Sequence, residues 1–270
     1  INIADNIEWH FLFKRRWNNF QPMSERSNSW FIITTPLAPA YAAPGFNSSK
    51  VTEVVGGESV QVLQKKGDWL FVEQDDGYQS WIKEFYGCFG KVPFAATHMI
   101  IESGKIPFGT RVQQKDQNIV TADGTSRLAE QELNSLTSVA KPDEILSLAR
   151  GLLGSPYRWG GKTSFGFDCS GFVQMVCLAA GILLPRDSWQ QRSVLNDYAV
   201  DGGTAGPGDL HFFGKNDKVT HVGFSTGGQG VIHCQGFVKE ETIAGGRFNS
   251  NKKLADIYMS THSIRRKFRA

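Results

Sequence analysis

The run Val173-Gln174-Met175-Val176-Cys177-Leu178-Ala179-Ala180 is apolar around most of a helical wheel and stops at Gly181. A helix of that kind must be covered on nearly every side, so the rest of the chain has to wrap other elements around it. Its start falls at Phe167-Asp168-Cys169-Ser170-Gly171-Phe172, where Asp168 and Ser170 are strong N-cap types, and Gly181 suits the far end. Cys169 therefore sits in the first turn of a buried helix. There, unpaired backbone N–H groups and the positive end of the helix dipole are expected to lower its pKa and favour the thiolate.

The whole chain sets looser bounds. Its 270 residues suffice for one large domain or two to three small ones, and a net charge of +3 gives little steering toward a polyanion. The basic runs Lys14-Arg15-Arg16 and Arg265-Arg266-Lys267 read as solvated faces, so no nucleic-acid partner is expected. No apolar run approaches the length of a membrane span, and Glu8, His10, Lys14, Arg15 and Arg16 interrupt the N-terminal apolar residues too often for a signal peptide. The first residue is Ile rather than Met, which leaves room for a leader or other residues already removed. Cysteines stand at 88, 169, 177 and 234 with no CxxC pair; a working thiolate at Cys169 leaves an odd number, so no disulfide is expected.

Residues 1–26 are aromatic and basic without a sustained period, and read as an ordered N-terminal extension. Residues 27–90 read as short strands: Trp30-Phe31-Ile32-Ile33, a Pro/Ala/Gly-rich loop over 36–49, an alternating segment over 58–64, another over 67–73, and a return strand over 78–82 after the turn at Asp76-Gly77. The order of the Gly-Glu strand, the Gly-Asp-Trp strand and the returning hairpin resembles a bacterial SH3 domain. Residues 91–138 look like a degenerate second copy with its own Asp-Gly turn at 123–124, followed by a helical connector over 129–136. A helix opens at Lys141-Pro142-Asp143-Glu144, and strands follow the helix that starts at Cys169, over 209–213, 220–225 and 231–234. Helices first and an antiparallel sheet later make residues 139–270 an α+β domain of papain-like kind.

A lone cysteine is usually an inert buried hydrophobe, and Cys88, Cys177 and Cys234 take that reading. Cys169 differs by its flanks, and a cysteine nucleophile needs a histidine base with an orienting group behind it. His221 and His233 lie twelve residues apart on two strands joined by a Gly-rich turn, an even spacing that puts both on one face of a hairpin. His10, His98 and His262 read as ordinary polar residues, and His211 as packing behind the site. No close-spaced ligand pair supports a metal site, and the Gly160-Gly161-Lys162-Thr163 stretch lacks the first glycine of a phosphate loop because residue 156 is Pro.

The motifs Gly154-Ser155-Pro156-Tyr157-Arg158-Trp159-Gly160-Gly161, Phe167-Asp168-Cys169-Ser170-Gly171-Phe172-Val173, Leu184-Pro185-Arg186-Asp187-Ser188-Trp189-Gln190-Gln191, Gly206-Pro207-Gly208-Asp209-Leu210, His221-Val222-Gly223 and His233 together resemble the NlpC/P60 cysteine peptidases. They fall in the family's order over about residues 141–262. With the SH3-like region ahead of them, the architecture is similar to the γ-D-glutamyl-L-diamino acid endopeptidases of the dipeptidyl-peptidase VI type: a papain-like catalytic domain preceded by two small all-β SH3-like barrels. The resemblance implies Cys169 as nucleophile, His221 as base, His233 as third member and Tyr157 as a donor to the oxyanion. It also implies that Asp168, Ser170, Asp187 and Ser188 line the pocket that reads the stem peptide, with Trp159 as a wall. Glu58 and Tyr78 of the first SH3-like unit would hold the free amine of an N-terminal L-Ala.

The expected activity is hydrolysis of the bond between γ-D-Glu and the following diamino acid in murein tripeptides and tetrapeptides, through a thioester and with no cofactor or metal. A monomer is expected, in a bacterial envelope or secreted setting rather than the cytoplasm. Two other readings fit the same residues: an amidase or acyltransferase using the same triad on another acyl group, and a wall-binding SH3 module on a non-catalytic scaffold.

Overall fold

The computed structural model describes residues 30–101, 105–128, 132–136, 142–245 and 249–268. The N-terminal extension expected over 1–26 lies outside the described residues.

An antiparallel seven-stranded sheet comes first: β1 (Trp30–Ile33), β2 (Leu37–Tyr41), β3 (Lys50–Val55), β4 (Ser59–Lys66), β5 (Trp69–Glu73), β6 (Gln79–Lys83) and β7 (Gly87–Gly90), in the order β3-β2-β6-β5-β4-β1-β7. Its interior is small and, apart from Phe31, aliphatic, with Phe31, Ile33, Ala38, Ala40, Val54, Val60, Leu70, Val72 and Ile82 buried together. The loop expected over 36–49 begins with a strand, because Ala38 and Ala40 alternate inward and are small enough to fit beneath the sheet. Pro39 is tolerated there since β2 touches β6 only at Tyr41–Trp81, so the missing N–H costs little pairing.

A second, five-stranded antiparallel sheet follows: β8 (His98–Ile100), β9 (Arg111–Lys115), β10 (Asn118–Val120), β11 (Ser126–Leu128) and β12 (Leu133–Ser135). The helical connector expected over 129–136 is, where described, the strand β12. Leu133 packs on Ile100, Ile106, Val112 and Ile119, and β12 pairs with β8; this tertiary contact overrides the local helix propensity.

The remaining chain is α+β. A 3₁₀ turn at Pro142–Glu144 leads into α1 (Ile145–Arg150), and the short ribbon β13 (Lys162–Thr163) and β14 (Gly166–Phe167) feeds α2 (Cys169–Ala179). After α3 (Ser188–Val194) comes a six-stranded antiparallel sheet of β15 (Ala199–Val200), β16 (Leu210–Lys215), β17 (Lys218–Gly227), β18 (Gly230–Gln235), β19 (Phe237–Thr242) and β20 (Tyr258–His262), with α4 (Lys252–Ala255) and α5 (Ile264–Phe268) beside it. Strand order is β15-β20-β16-β17-β18-β19. As its composition requires, α2 is covered all round: Phe172, Val173, Met175, Val176, Cys177 and even Gln174 are buried. Phe172 meets Phe224 of the sheet on one side and Phe167 on the other, and Phe167 meets Phe108 from the second β unit.

The β units and the α+β unit share a core as well as polar contacts. Val55, Met99 and Phe108 belong to the same apolar cluster as α2. Lys162 donates its backbone N–H to Glu53 Oε2 at 2.9 Å, Gln174 donates to Asp76 Oδ2 at 2.6 Å, and Arg186 donates from Nε to Thr52 Oγ1 at 2.9 Å. Arg186 is 2% exposed and also grips Asp168, the N-cap of α2, through both terminal nitrogens. Removing one partner of such a buried pair strands the other charge, so Arg186→Met is expected to lower unfolding free energy by about 3–5 kcal/mol in urea denaturation. A change below about 1 kcal/mol would show that the pair is not structural.

Candidate active site

Asp168 has extended backbone geometry and accepts the Gly171 N–H at 2.7 Å, which fixes where α2 begins. Gly171 packs so closely on the preceding loop that a Cβ there would lie 2.1 Å from the Gly161 carbonyl oxygen. The helix start is thereby pressed onto the Gly160-Gly161 segment, and Cys169 projects from its first turn toward β17. The sulfur faces the backbone N–H groups of Val222 and Ser170, and Val222 directly follows His221.

β17 and β18 pair through Phe224–Ile232 and Ser225–Val231. Continued along the strands, that register sets Gly223 opposite His233 and places His221 diagonal to it on the same face. Gly223 makes the diagonal reachable, because a Cβ there would stand 2.7 Å from His233 Cβ. His221 Nε2 and His233 Nδ1 are 2.8 Å apart, both rings buried and nearly perpendicular. Across the next hairpin, His233 Nε2 lies 2.9 Å from Glu241 Oε2. Glu241 is absent from the sequence-based set, although the same even-spacing argument that joins His221 to His233 applies to it: His233 pairs with Lys239, so Glu241 is the next residue on that face of β19.

Tyr157 stands beside Cys169, Asp168 and Arg186, its backbone N–H held by the Gly236 carbonyl at 2.8 Å. Burial pushes its hydroxyl up to about 12, so it is a neutral phenol able to donate a hydrogen bond. Burial likewise pushes the Cys169 thiol up to about 12, helped by the neighbouring Asp168 carboxylate and opposed by Arg186 and the facing N–H groups. This reverses the pKa lowering expected from the helix start: loss of water around the sulfur outweighs the helix dipole. His221 is driven down to about 3, chiefly by burial and then by His233. At neutral pH the pair therefore rests as thiol and neutral imidazole.

Several candidate substrate residues serve other ends. Asp168 accepts from Gly171 N, Gly160 N and Arg186, and Ser170 Oγ accepts from Arg186 at 2.9 Å. Both are buried, so their side chains hold the helix start together rather than standing free for a ligand. Glu58 is 3% exposed; it accepts the Val55 N–H at 2.7 Å and Arg111 at 3.1 Å and lies 3.7 Å from Lys162 Nζ. It ties β4 to β9 and β13 and is not placed as a free amine receptor.

Tyr78 lies beside the Arg186–Asp168 pair and Asp187. Its hydroxyl is pushed up to about 12 by burial and by Asp187, with Arg186, Asp76 and Asp168 also close. Asp187, half-buried ahead of α3, is raised by burial and by Asp168 and Asp76, against Arg186 and an indole bond from Trp189. Ser188 is the first residue of α3 and is half-buried. Trp159 is exposed, its indole N–H bound to the Lys50 carbonyl at 2.9 Å, so it walls the junction between β3 and the Gly160-Gly161 loop. His211 is fully buried against Phe213 and Tyr258 with Nδ1 2.7 Å from Thr261 Oγ1, in keeping with a packing role. Cys177 and Cys234 are buried as expected, whereas Cys88 is exposed on the edge strand β7. Arg186 was not legible as a site residue because nothing in Pro185-Arg186-Asp187 marks a guanidinium as buried.

A thiol on a buried helix, set against histidines of an antiparallel sheet, is the arrangement of a papain-like α+β domain. Residues 154–255 match the NlpC/P60 family, and residues 40–84 match the bacterial dipeptidyl-peptidase SH3 domain. A protein named γ-D-glutamyl-L-lysine dipeptidyl-peptidase from Bacillus cereus (strain ATCC 10987 / NRS 248) is 28% identical over 232 residues, covering 69% of this chain and 68% of its own. A protein of the same name from Bacillus subtilis (strain 168) is 26% identical, with 67% and 71% covered. The fold resembles that of an NlpC/P60 family protein from Bacillus cereus ATCC 10987, with a TM-score of 0.70 at 22% identity, over 87% of this chain and 99% of that one. The chain carries an NlpC/P60 cysteine peptidase domain, with a bacterial SH3 domain ahead of it.

The electrostatics give a direct expectation. Since only the thiolate is alkylated, the iodoacetamide rate at Cys169, read by peptide mapping, should climb about tenfold per pH unit through pH 9 without levelling. A plateau that begins below pH 8 would contradict the neutral resting pair.

Proposed function

We propose that the protein hydrolyses the amide between γ-D-Glu and the following diamino acid in murein stem peptides, with Cys169, His221, His233 and Tyr157 as its working groups. The observation that carries the reading is a buried Cys169 sulfur facing the N–H of Val222, the residue directly after His221, with His221 hydrogen-bonded to His233 on the neighbouring strand. The names of the two Bacillus relatives support the bond cleaved.

In this reading the thiol proton passes to His221 as the sulfur attacks the γ-carbonyl carbon. The oxyanion is met by the Cys169 backbone N–H and the Tyr157 hydroxyl, donors already fixed in a site with little water. The imidazolium gives its proton to the departing amine of the diamino acid and leaves a thioester. Water then attacks that thioester with His221 again taking the proton, and the thiol is restored. Because burial holds His221 unprotonated at rest, the imidazolium depends on the hydrogen bond to His233 Nδ1 and on the charge of Glu241, which opposes the lowering.

Peptides with a free N-terminal L-Ala suit the far end of the cleft. Asp187 and Asp76 lie near the Tyr78 hydroxyl, a setting that favours an ammonium group; with Glu58 committed to Arg111, Asp187 and Tyr78 are the better candidates to receive it. The β units would then close one end of the site and read substrate length.

Cys169→Ala should reduce turnover of L-Ala-γ-D-Glu-diaminopimelate by about a thousandfold or more with an unchanged far-ultraviolet circular dichroism spectrum; retained turnover would refute the mechanism. N-acetylation of the L-Ala should lower kcat/KM by about tenfold or more, the size of one lost charged hydrogen bond. Equal rates on blocked and free peptides would remove the amine-reading role while leaving the peptidase assignment standing.

A further inference from the structure

We infer that Glu241 is a positioning residue that sets the tautomers of both His233 and His221, so that the base nitrogen of His221 is its Nδ1. The inference rests on the proposed role of Cys169 and His221, and deepens it.

Glu241 is tightly held. Its Oε2 accepts from Asn251 Nδ2 at 2.8 Å as well as facing His233 Nε2, and its Oε1 lies 3.1 Å from Lys239 Nζ. Burial alone would raise its carboxyl, but the bonds from Asn251, His233 and Lys239 together hold it below the usual carboxylate range. Asn251 in turn accepts the Leu254 N–H at 3.0 Å and caps α4, so the carboxylate is anchored to a structural element of its own.

A carboxylate accepts only, so the bond at Glu241 Oε2 requires the proton on His233 Nε2. A neutral imidazole protonated at Nε2 presents a lone pair at Nδ1, and the 2.8 Å bond there must come from His221 Nε2–H. Neutral His221 is then unprotonated at Nδ1, the nitrogen not engaged by His233 and thus free to take the thiol proton. Without the carboxylate, His233 has no fixed tautomer; its Nδ1–H form would meet a lone pair on His221 Nε2 and turn the His221 proton toward the sulfur. The chain also carries charge: an imidazolium at His221 is separated from Glu241 only by His233.

Glu241→Ala is expected to lower kcat on the free tripeptide by about 10- to 100-fold with KM within about twofold, since no bound substrate is touched. Glu241→Gln should recover most of that loss, because Asn251 Nδ2 and His233 Nε2 both require the amide oxygen on their side. The second arm is ¹⁵N nuclear magnetic resonance of ring nitrogens in the Cys169→Ala background, where turnover plays no part. His221 and His233 should both be protonated at Nε2 with Glu241 present, and should become mixtures in Glu241→Ala. Unchanged tautomers in Glu241→Ala, or a loss confined to KM, would overturn the inference. Loss of the tautomer pattern together with retained turnover in Cys169→Ala would instead overturn the catalytic reading alone.

Discussion

One buried ion pair sets the geometry on which the site depends. Arg186 binds Asp168, the residue that starts α2, and reaches Thr52 in the SH3 unit with its third nitrogen. The cysteine helix, the loop ahead of α3 and strand β3 are thus joined by one guanidinium that is 2% exposed. Such a pair adds little net stability over an apolar substitute, yet it fixes direction, because the planar guanidinium offers its donors only along set lines. Cys169 and Asp187 are each next in sequence to a member of this pair, so the proposed nucleophile and the carboxylate proposed to receive the substrate amine share one anchor.

The interior around the thiol is dry, and that governs its chemistry. Burial raises Cys169 and Tyr157 and lowers His221, so all three rest uncharged. In the proposed mechanism charge appears only as bonds change, when the fixed dipoles of the Val222 and Ser170 N–H groups and the carboxylate of Glu241 act in a medium that screens them weakly. The helix dipole would then help to hold a developing thiolate rather than a standing one.

Much of this was legible in the sequence, and the limits follow from physics. The all-round apolar run of α2, its Asp168 cap and the even spacing of His221 and His233 are local signals, and each appears where it was expected. Strand β2 was hidden because Ala and Pro are poor strand formers whose fit depends on the sheet above them. The β12 segment read as helical because its pairing with β8 lies more than thirty residues away. Glu58 read as a free acid since its partners Arg111 and Lys162 come from distant segments, and the thiol pKa was misjudged because the sheet residues that close over the sulfur at Val222 lie some fifty positions further along the chain.

The most direct test of the account is to trap the acyl-enzyme. Acid quench of the protein during turnover of L-Ala-γ-D-Glu-diaminopimelate, followed by intact and peptide mass spectrometry, should show Cys169 carrying an L-Ala-γ-D-Glu acyl group in place of its thiol hydrogen. In that sample Cys88, Cys177 and Cys234 should be unmodified. Turnover with no adduct at Cys169, or an adduct on another cysteine, would contradict the account.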